Sequence, residues 1–242
     1  MPENLNFMNC PRCGSENIVK NGLTHSGKQN FKCRVCGRQF IENPRHQPIT
    51  EETKILVDKL LLEKIPLAGI ARVTGVSLRW LQYYIHQKFA SVPRQVQVKS
   101  KKKGKLTIQC DELWSFVGHK GNKQWVWLAI DVLTKEIVGV YIGSRDEAGA
   151  KGLWDSLPPV YRQCAISYTD FWSAYSRVFP QSRHKAVGKE TGKTFYIERF
   201  NNTLRQRVSR LVRKTLAFSK KLSNHIGAIW YFIHPYNFSL QK

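Results

Sequence analysis

Two sets of side chains in this 242-residue sequence have types and spacings suited to chemistry. The first is Cys10-Pro-Arg-Cys13, followed after 19 residues by Cys33-Arg-Val-Cys36. Each pair leads straight into a glycine, Gly14 or Gly37, which permits the tight turn that brings backbone amides up to thiolate sulfurs. Four soft thiolates in two such pairs suit a closed tetrahedral site, so Cys10, Cys13, Cys33 and Cys36 are expected to hold one structural Zn2+. The second set is acidic. Asp111 and Asp170 each end an apolar run, and Glu198 is the single acid among the last 47 residues, which carry nine Lys and Arg. Phosphoryl transfer on DNA needs acidic oxygens that hold two divalent ions ~4 Å apart, one activating the attacking oxygen and one stabilising the leaving oxygen. Two aspartates at strand ends and a glutamate on a helix can hold such a pair of Mg2+ or Mn2+ ions. Glu198 also has a plainer reading, an intrahelical pairing with Asn202 or Arg205 worth ~0.5 kcal/mol. Arg205 lies two helical turns beyond Glu198, on the same face, where it can take a flanking phosphate.

These groups need elements to position them. Between the cysteine pairs, Asn17 to Val19 and Gln29 to Lys32 read as strands around a turn at Ser26-Gly27, which predicts a zinc ribbon over 1–46. Thr50, Glu51 and Glu52 start a helix to which Ile55, Leu56, Lys59, Leu60 and Leu62 give an apolar stripe. Pro66 opens a second helix, Leu67 to Val73. Thr74-Gly75-Val76 makes a turn, and Ser77 caps a third helix that points Leu78, Leu81, Tyr84 and Ile85 inward. Residues 47–90 are thus expected to form a helix-turn-helix that presents Ser77, Arg79, Trp80, Gln82 and Tyr83 to a major groove. The alternative is a three-helix packing unit with no DNA role. Residues 91–105, with Pro93 and Lys101-Lys102-Lys103, read as a mobile basic linker that attracts phosphates.

Residues 106–242 alternate in character. Strands are expected at Leu106 to Asp111, Gln124 to Asp131 and Ile137 to Gly143. A helix follows from Glu147 to Leu157, then a buried strand from Ala165 to Tyr168 ending at Asp170, a helix from Phe171 to Val178, and mostly helix from Thr194. That order suits an α/β ribonuclease-H-like domain with a mixed sheet, and the chain as a whole is read as multidomain. If the first strand and the strand before Asp170 are neighbours, Asp111 and Asp170 meet at one edge. Alternation sends Glu112 to the opposite face, leaving it a supporting part at most. Asp131 reads as a turn cap, and Asp146 and Glu147 as cap and first-turn acids. Trp114, Trp125, Trp127 and Trp172 read as packing, Cys110 and Cys164 as small core residues, and His184, His225 and His234 show no ligand spacing.

Charge points the same way. The chain holds 39 Lys+Arg against 17 Asp+Glu, a net +22, and the excess sits on the flanks: +4 over 1–50, +8 over 51–105, +2 over 106–195 and +8 over 196–242. A less basic centre between basic flanks fits a protein that holds a polyanion, here double-stranded DNA. With 42% hydrophobic residues, wholesale disorder is excluded. No apolar run approaches the ~18 residues of a membrane span, and Met1 to Asn9 lacks a secretory signal, so no membrane partner and a cytoplasmic location are expected.

The runs Asp111-Glu112-Leu113-Trp114-Ser115-Phe116-Val117, Tyr168-Thr169-Asp170-Phe171-Trp172-Ser173-Ala174-Tyr175, Ile197-Glu198-Arg199-Phe200-Asn201-Asn202-Thr203-Leu204-Arg205-Gln206-Arg207 and 211–220 resemble the DDE transposases of bacterial insertion sequences. The chain is similar in particular to the insertion-sequence-one type, in which a zinc ribbon and helix-turn-helix precede the catalytic domain. The resemblance implies Asp111, Asp170 and Glu198 as a metal-binding triad with two Mg2+ (or Mn2+) per site, Arg205 as the basic residue two turns on, and the four cysteines as zinc ligands. Asn201 and Arg207 join Arg205 as expected DNA contacts. The implied activity is binding of inverted-repeat ends, strand cleavage and strand transfer by a homodimer or larger assembly. The alternatives are a non-catalytic DNA-binding regulator and a nuclease of the same fold without strand transfer.

Overall fold

A computed structural model describes residues 8–44, 48–211 and 218–241, in two compact units that divide after Thr50. In the first, β1 (Ile18–Leu23), β2 (Gln29–Cys33) and β3 (Gln39–Ile41) form an antiparallel sheet in that order. The third strand, which the cysteine spacing did not suggest, follows the second glycine turn and sets Phe40 opposite Phe31, ring centroids 6.0 Å apart.

The second unit opens with three helices, α1 (Glu51–Leu60), α2 (Leu67–Thr74) and α3 (Leu78–Ser91). Gly75 ends α2 at φ 71°, a left-handed conformation that suits glycine, and the Ser77 hydroxyl accepts from Trp80 N at 3.2 Å to cap α3. The buried positions are Val57, Gly69, Ile70, Val76, Leu81, Ile85 and Phe89. The stripe expected on α1 is therefore rotated. Ile55 and Leu56 are exposed, because the inward face centres on Val57 and runs on to the half-buried Leu60 and Leu61. Leu78, also expected inward, is exposed in the first turn of α3. α3 also packs on a long closing helix, α8 (Leu222–Ser239), with Phe89 and Tyr231 rings 5.6 Å apart. The segment expected as a mobile linker is tied down. Arg94 Nη2 donates to Phe89 O at 2.8 Å, Lys99 N to Glu136 Oε1 at 3.2 Å, and Val98 packs on the core.

Five strands make the central sheet: β4 (Thr107–Phe116), β5 (Lys123–Asp131), β6 (Ile137–Gly143), β7 (Ile166–Thr169) and β8 (His184–Ala186), in the order β6-β5-β4-β7-β8. The first three are an antiparallel meander, and β7 and β8 add in parallel beside β4. The helices are α4 (Glu147–Ser156), α5 (Pro159–Cys164), α6 (Ser173–Val178) and α7 (Phe195–Arg207). Alternation along β4 sorts them. Cys110 joins Trp127, Ala150, Leu153 and Tyr175 in the core under α4 and α6, whereas Gln109 Oε1 accepts from Tyr196 N and Ile197 N of α7 at 2.8 and 3.1 Å. Asn237 of α8 clamps β6 by exchanging two 2.8 Å hydrogen bonds with the backbone of Ile137.

Two boundaries depart from expectation. β4 runs on to Phe116, so Asp111 stands within the strand, opposite Leu128, because the alternation of Glu112 to Phe116 continues the ladder with β5. The last basic helix stops at Arg207. Val208 caps it in an extended conformation and buries its side chain, which leaves Arg210 off the helix, and Arg213 lies outside the described residues. The final run of the resemblance likewise falls outside them from 212 to 217. Among the described residues no helix is long and apolar enough to cross a membrane.

Candidate active site and zinc centre

In the first unit the two CxxC turns are alike: Gly14 N donates to Cys10 O at 2.9 Å and Gly37 N to Cys33 O at 3.0 Å, with both glycines at positive φ. The turns face each other. Cys10 and Cys36 sulfurs are 3.5 Å apart, Cys13 and Cys33 sulfurs 3.7 Å, and all four lie within 4.8 Å of one another. Tetrahedral Zn–S bonds of ~2.3 Å require sulfurs ~3.8 Å apart, so the four thiolates fit one zinc ion.

In the second unit the pairing of β4 with β7 sets the acids. Gln109 is level with Tyr168, so the register carried two residues further brings Asp111 level with Asp170, just past the end of β7. Residues two apart on parallel neighbours share a face, and here it is the face that α7 covers. Asp111, Asp170 and Glu198 line one cavity of about 410 Å3, together with Lys189, Asn201 and Arg205. Each is held by its own partner. Asn201 Nδ2 donates to Asp111 Oδ2 at 2.7 Å, Trp172 N to Asp170 Oδ1 at 3.0 Å, and Thr194 Oγ1 to Glu198 Oε1 at 2.7 Å. Burial, with the charges of Glu112 and Asp170 nearby, pushes the Asp111 carboxyl up to about 7.

The donor set fits divalent cations. Hard carboxylate oxygens line one side of the sheet, and among the described residues the Asn201 Oδ1 acceptor, buried in the cavity wall, has no hydrogen-bond partner. Among the described residues only the four cysteines form a group with every ligand atom within 4.8 Å, so the three carboxylates are spread more widely.

The other expected contacts divide. Arg205 Nη2 donates to Trp114 O at 2.9 Å on the cavity wall. Arg207 points elsewhere, to Leu62 O at 2.9 Å and to Glu63. Ser77, Arg79, Gln82 and Tyr83 are exposed along α3, while Trp80 is half-buried and stacks on Tyr84, centroids 5.0 Å apart. Lys102 and Lys103 are exposed, but the Lys101 ammonium lies 3.7 Å from Asp131 and 4.0 Å from Glu136. Asp131 also caps its turn, accepting from Leu133 N and Thr134 N, and Asp146 caps α4 through Gly149 N.

Sequence reasoning missed what surrounds Glu112. On the face away from Asp111 its buried carboxylate accepts from Tyr175 Oη at 2.8 Å and from Arg145 Nε at 2.8 Å. The adjacency of Glu112 to Asp111 was visible. The partners, 33 and 63 residues away, carried no signal in spacing.

Comparison with known proteins places this geometry. The family model described as IS1 transposase matches residues 106–239, and that of the InsA N-terminal domain matches residues 7–37. The insertion element iso-IS1n protein InsB of Shigella dysenteriae is 36% identical over 135 residues, which are 55% of this chain and 98% of that protein. The IS1 protein InsB of Shigella sonnei is 33% identical over 129 residues, 53% of this chain and 95% of its own length. The IS1 4 protein InsB of Escherichia coli K12 shows the same identity over 74% of its length. The matched segment holds all five strands of the sheet, α7 and the acid-lined cavity between them, and on that extent of similarity the chain belongs to the IS1 transposase family.

Proposed function

We propose that this transposase cuts DNA at the ends of its element and joins the freed 3′-hydroxyl to target DNA, with Asp111, Asp170 and Glu198 as the ligands of two Mg2+ (or Mn2+) ions. When bound, such ions supply charge stabilisation to the attacking and leaving oxygens of an in-line displacement. Asp111, fixed by Asn201, and Asp170, fixed by the backbone of Trp172, present oxygens from β4 and from the loop just after β7. Glu198, whose Oε1 accepts from Thr194 Oγ1, would supply the third carboxylate. Arg205 and Lys189, on the same cavity wall, orient the phosphates beside the scissile bond. The single observation that supports the reading most is that Asp111, Asp170 and Glu198, far apart in sequence, line one cavity.

The remaining parts serve recognition. We read 1–46 as a ribbon, 47–90 as a helix-turn-helix with α3 in the major groove, 91–105 as a basic connection and 106–242 as a ribonuclease-H-like catalytic domain. Ser77, Arg79, Gln82 and Tyr83 reach base edges, Trp80 stiffens that face from its stack on Tyr84, and Lys102 and Lys103 meet phosphates. Lys101 and Arg207, held by acids of the protein, serve the fold instead. Joining two ends requires at least two active sites, so the working form is a homodimer or larger, acting on bacterial DNA in the cytoplasm. The test is Mg2+-dependent cleavage and joining of end-containing DNA by wild type and by Asp111→Asn, Asp170→Asn and Glu198→Gln. All three are expected to lose both steps. Full activity in any one removes that residue, and cleavage by wild type without joining would assign a nuclease instead.

A further inference from the structure

Behind the acid face lies an arrangement that the chemistry above does not use. Arg145 stands between β6 and α4, and its neighbours fix its backbone: Ser144 O accepts from Trp127 Nε1 at 2.9 Å, and Asp146 caps α4 through Gly149 N at 3.0 Å. The guanidinium lies between two indoles, 4.5 Å from the Trp125 centroid and 4.2 Å from that of Trp172. Its Nε and Nη2 both lie 2.8 Å from Glu112 Oε1, whose side chain is 1% exposed. Tyr175 holds the other oxygen.

Each of these partners leads to the acid site. Glu112 follows Asp111 on β4. Trp125 stands on β5 and lines the cavity. Trp172 donates its backbone N–H to the Asp170 carboxylate at 3.0 Å, so the indole that rests on Arg145 belongs to the residue that orients Asp170. Between β4 and β7 the ladder ends at Gln109 and Tyr168, and the two aspartates lie beyond it, where no strand pairing fixes their separation. From this geometry we infer that Arg145 is a positioning residue for the two-aspartate site: it ties β4, through Glu112, to the loop after β7, through Trp172, and so sets the distance between Asp111 and Asp170. Its ion pair with Glu112 anchors that tie one residue from Asp111. Arginine suits the place because one planar group offers two aromatic-facing surfaces and two donors in its plane. Lysine keeps the charge and loses both.

The inference rests on the assignment of the acids as metal ligands, and its test separates the two. Mn2+ is titrated calorimetrically into the zinc-loaded full chain of wild type, Asp111→Asn and Arg145→Lys, with unfolding midpoints measured in parallel. Partners that orient metal ligands are typically worth about 10- to 100-fold in affinity. Arg145→Lys is accordingly expected to weaken Mn2+ binding at least about tenfold while the chain stays folded, and to raise the Mg2+ concentration for half-maximal cleavage in step. A merely structural arginine would lower the unfolding midpoint and leave the Mn2+ affinity within about twofold, which overturns the inference. If Arg145→Lys does not fold, Trp172→Leu decides in the same way, since it removes the stack and keeps the ion pair. Should Asp111→Asn bind Mn2+ as wild type does, the metal assignment fails and the positioning role falls with it.

Discussion

Asn201, which reads as a DNA contact in sequence, lies in the fold against Asp111. It lies three residues past Glu198 on α7, so both face β4, and its amide donates to Asp111 while its carbonyl stays unpartnered in the wall. A hydrogen bond to a charged group contributes about 1.5 to 3 kcal/mol. Asn201→Ala is therefore expected to slow Mg2+-dependent cleavage about 10- to 100-fold, read in single-turnover assays, with little change in DNA-end affinity. A loss of affinity at unchanged cleavage rate would return Asn201 to DNA binding. That Asp111, Asp170 and Glu198 belong together was legible because acids are rare near Glu198 and because apolar runs lead into Asp111 and Asp170, and the fold sets all three on one cavity. The partners that hold each acid were not, since Asn201, Thr194 and Trp172 are ordinary residues whose role depends on tertiary position.

At the scale of elements, hydrophobic alternation found β5, β6 and β7 close to their bounds, and cap chemistry found the α2 to α3 turn through Gly75 and Ser77. It failed at β4, where pairing with β5 carries the strand past Asp111, and at α1, whose inward face is fixed by what it packs on. The crossing of α3 and α8 was equally invisible, yet it is close: a Cβ built on Gly227 would meet Phe89 Cβ at 2.4 Å and Phe89 O at 2.9 Å. Gly227→Ala must push the helices apart, and overpacking of this kind costs about 1 to 3 kcal/mol. A lower urea midpoint is expected; an unchanged one would mean that α3 does not rest on α8 as described.

For the whole molecule, a net charge of +22 predicts that binding to DNA is steeply salt-dependent, and the contacts of each lysine set which are expected to take part. Lys102→Ala should reduce the slope of log affinity against log salt by about 0.9, the share of one phosphate contact. Lys101→Ala should leave that slope alone and instead lower stability by about 1 to 3 kcal/mol, because Asp131 and Glu136 lose a buried partner. Equal slopes for both variants would contradict this division. The most direct measurement on the molecule as a whole is a crystal structure of the zinc-loaded chain soaked in Mn2+, with anomalous scattering to locate the ions. Two manganese peaks ~4 Å apart are expected, both touching Asp111, with Asp170 and Glu198 one on either side. A cavity without manganese at saturating concentration, or ions ligated by none of the three acids, would contradict the metal-dependent chemistry assigned to them.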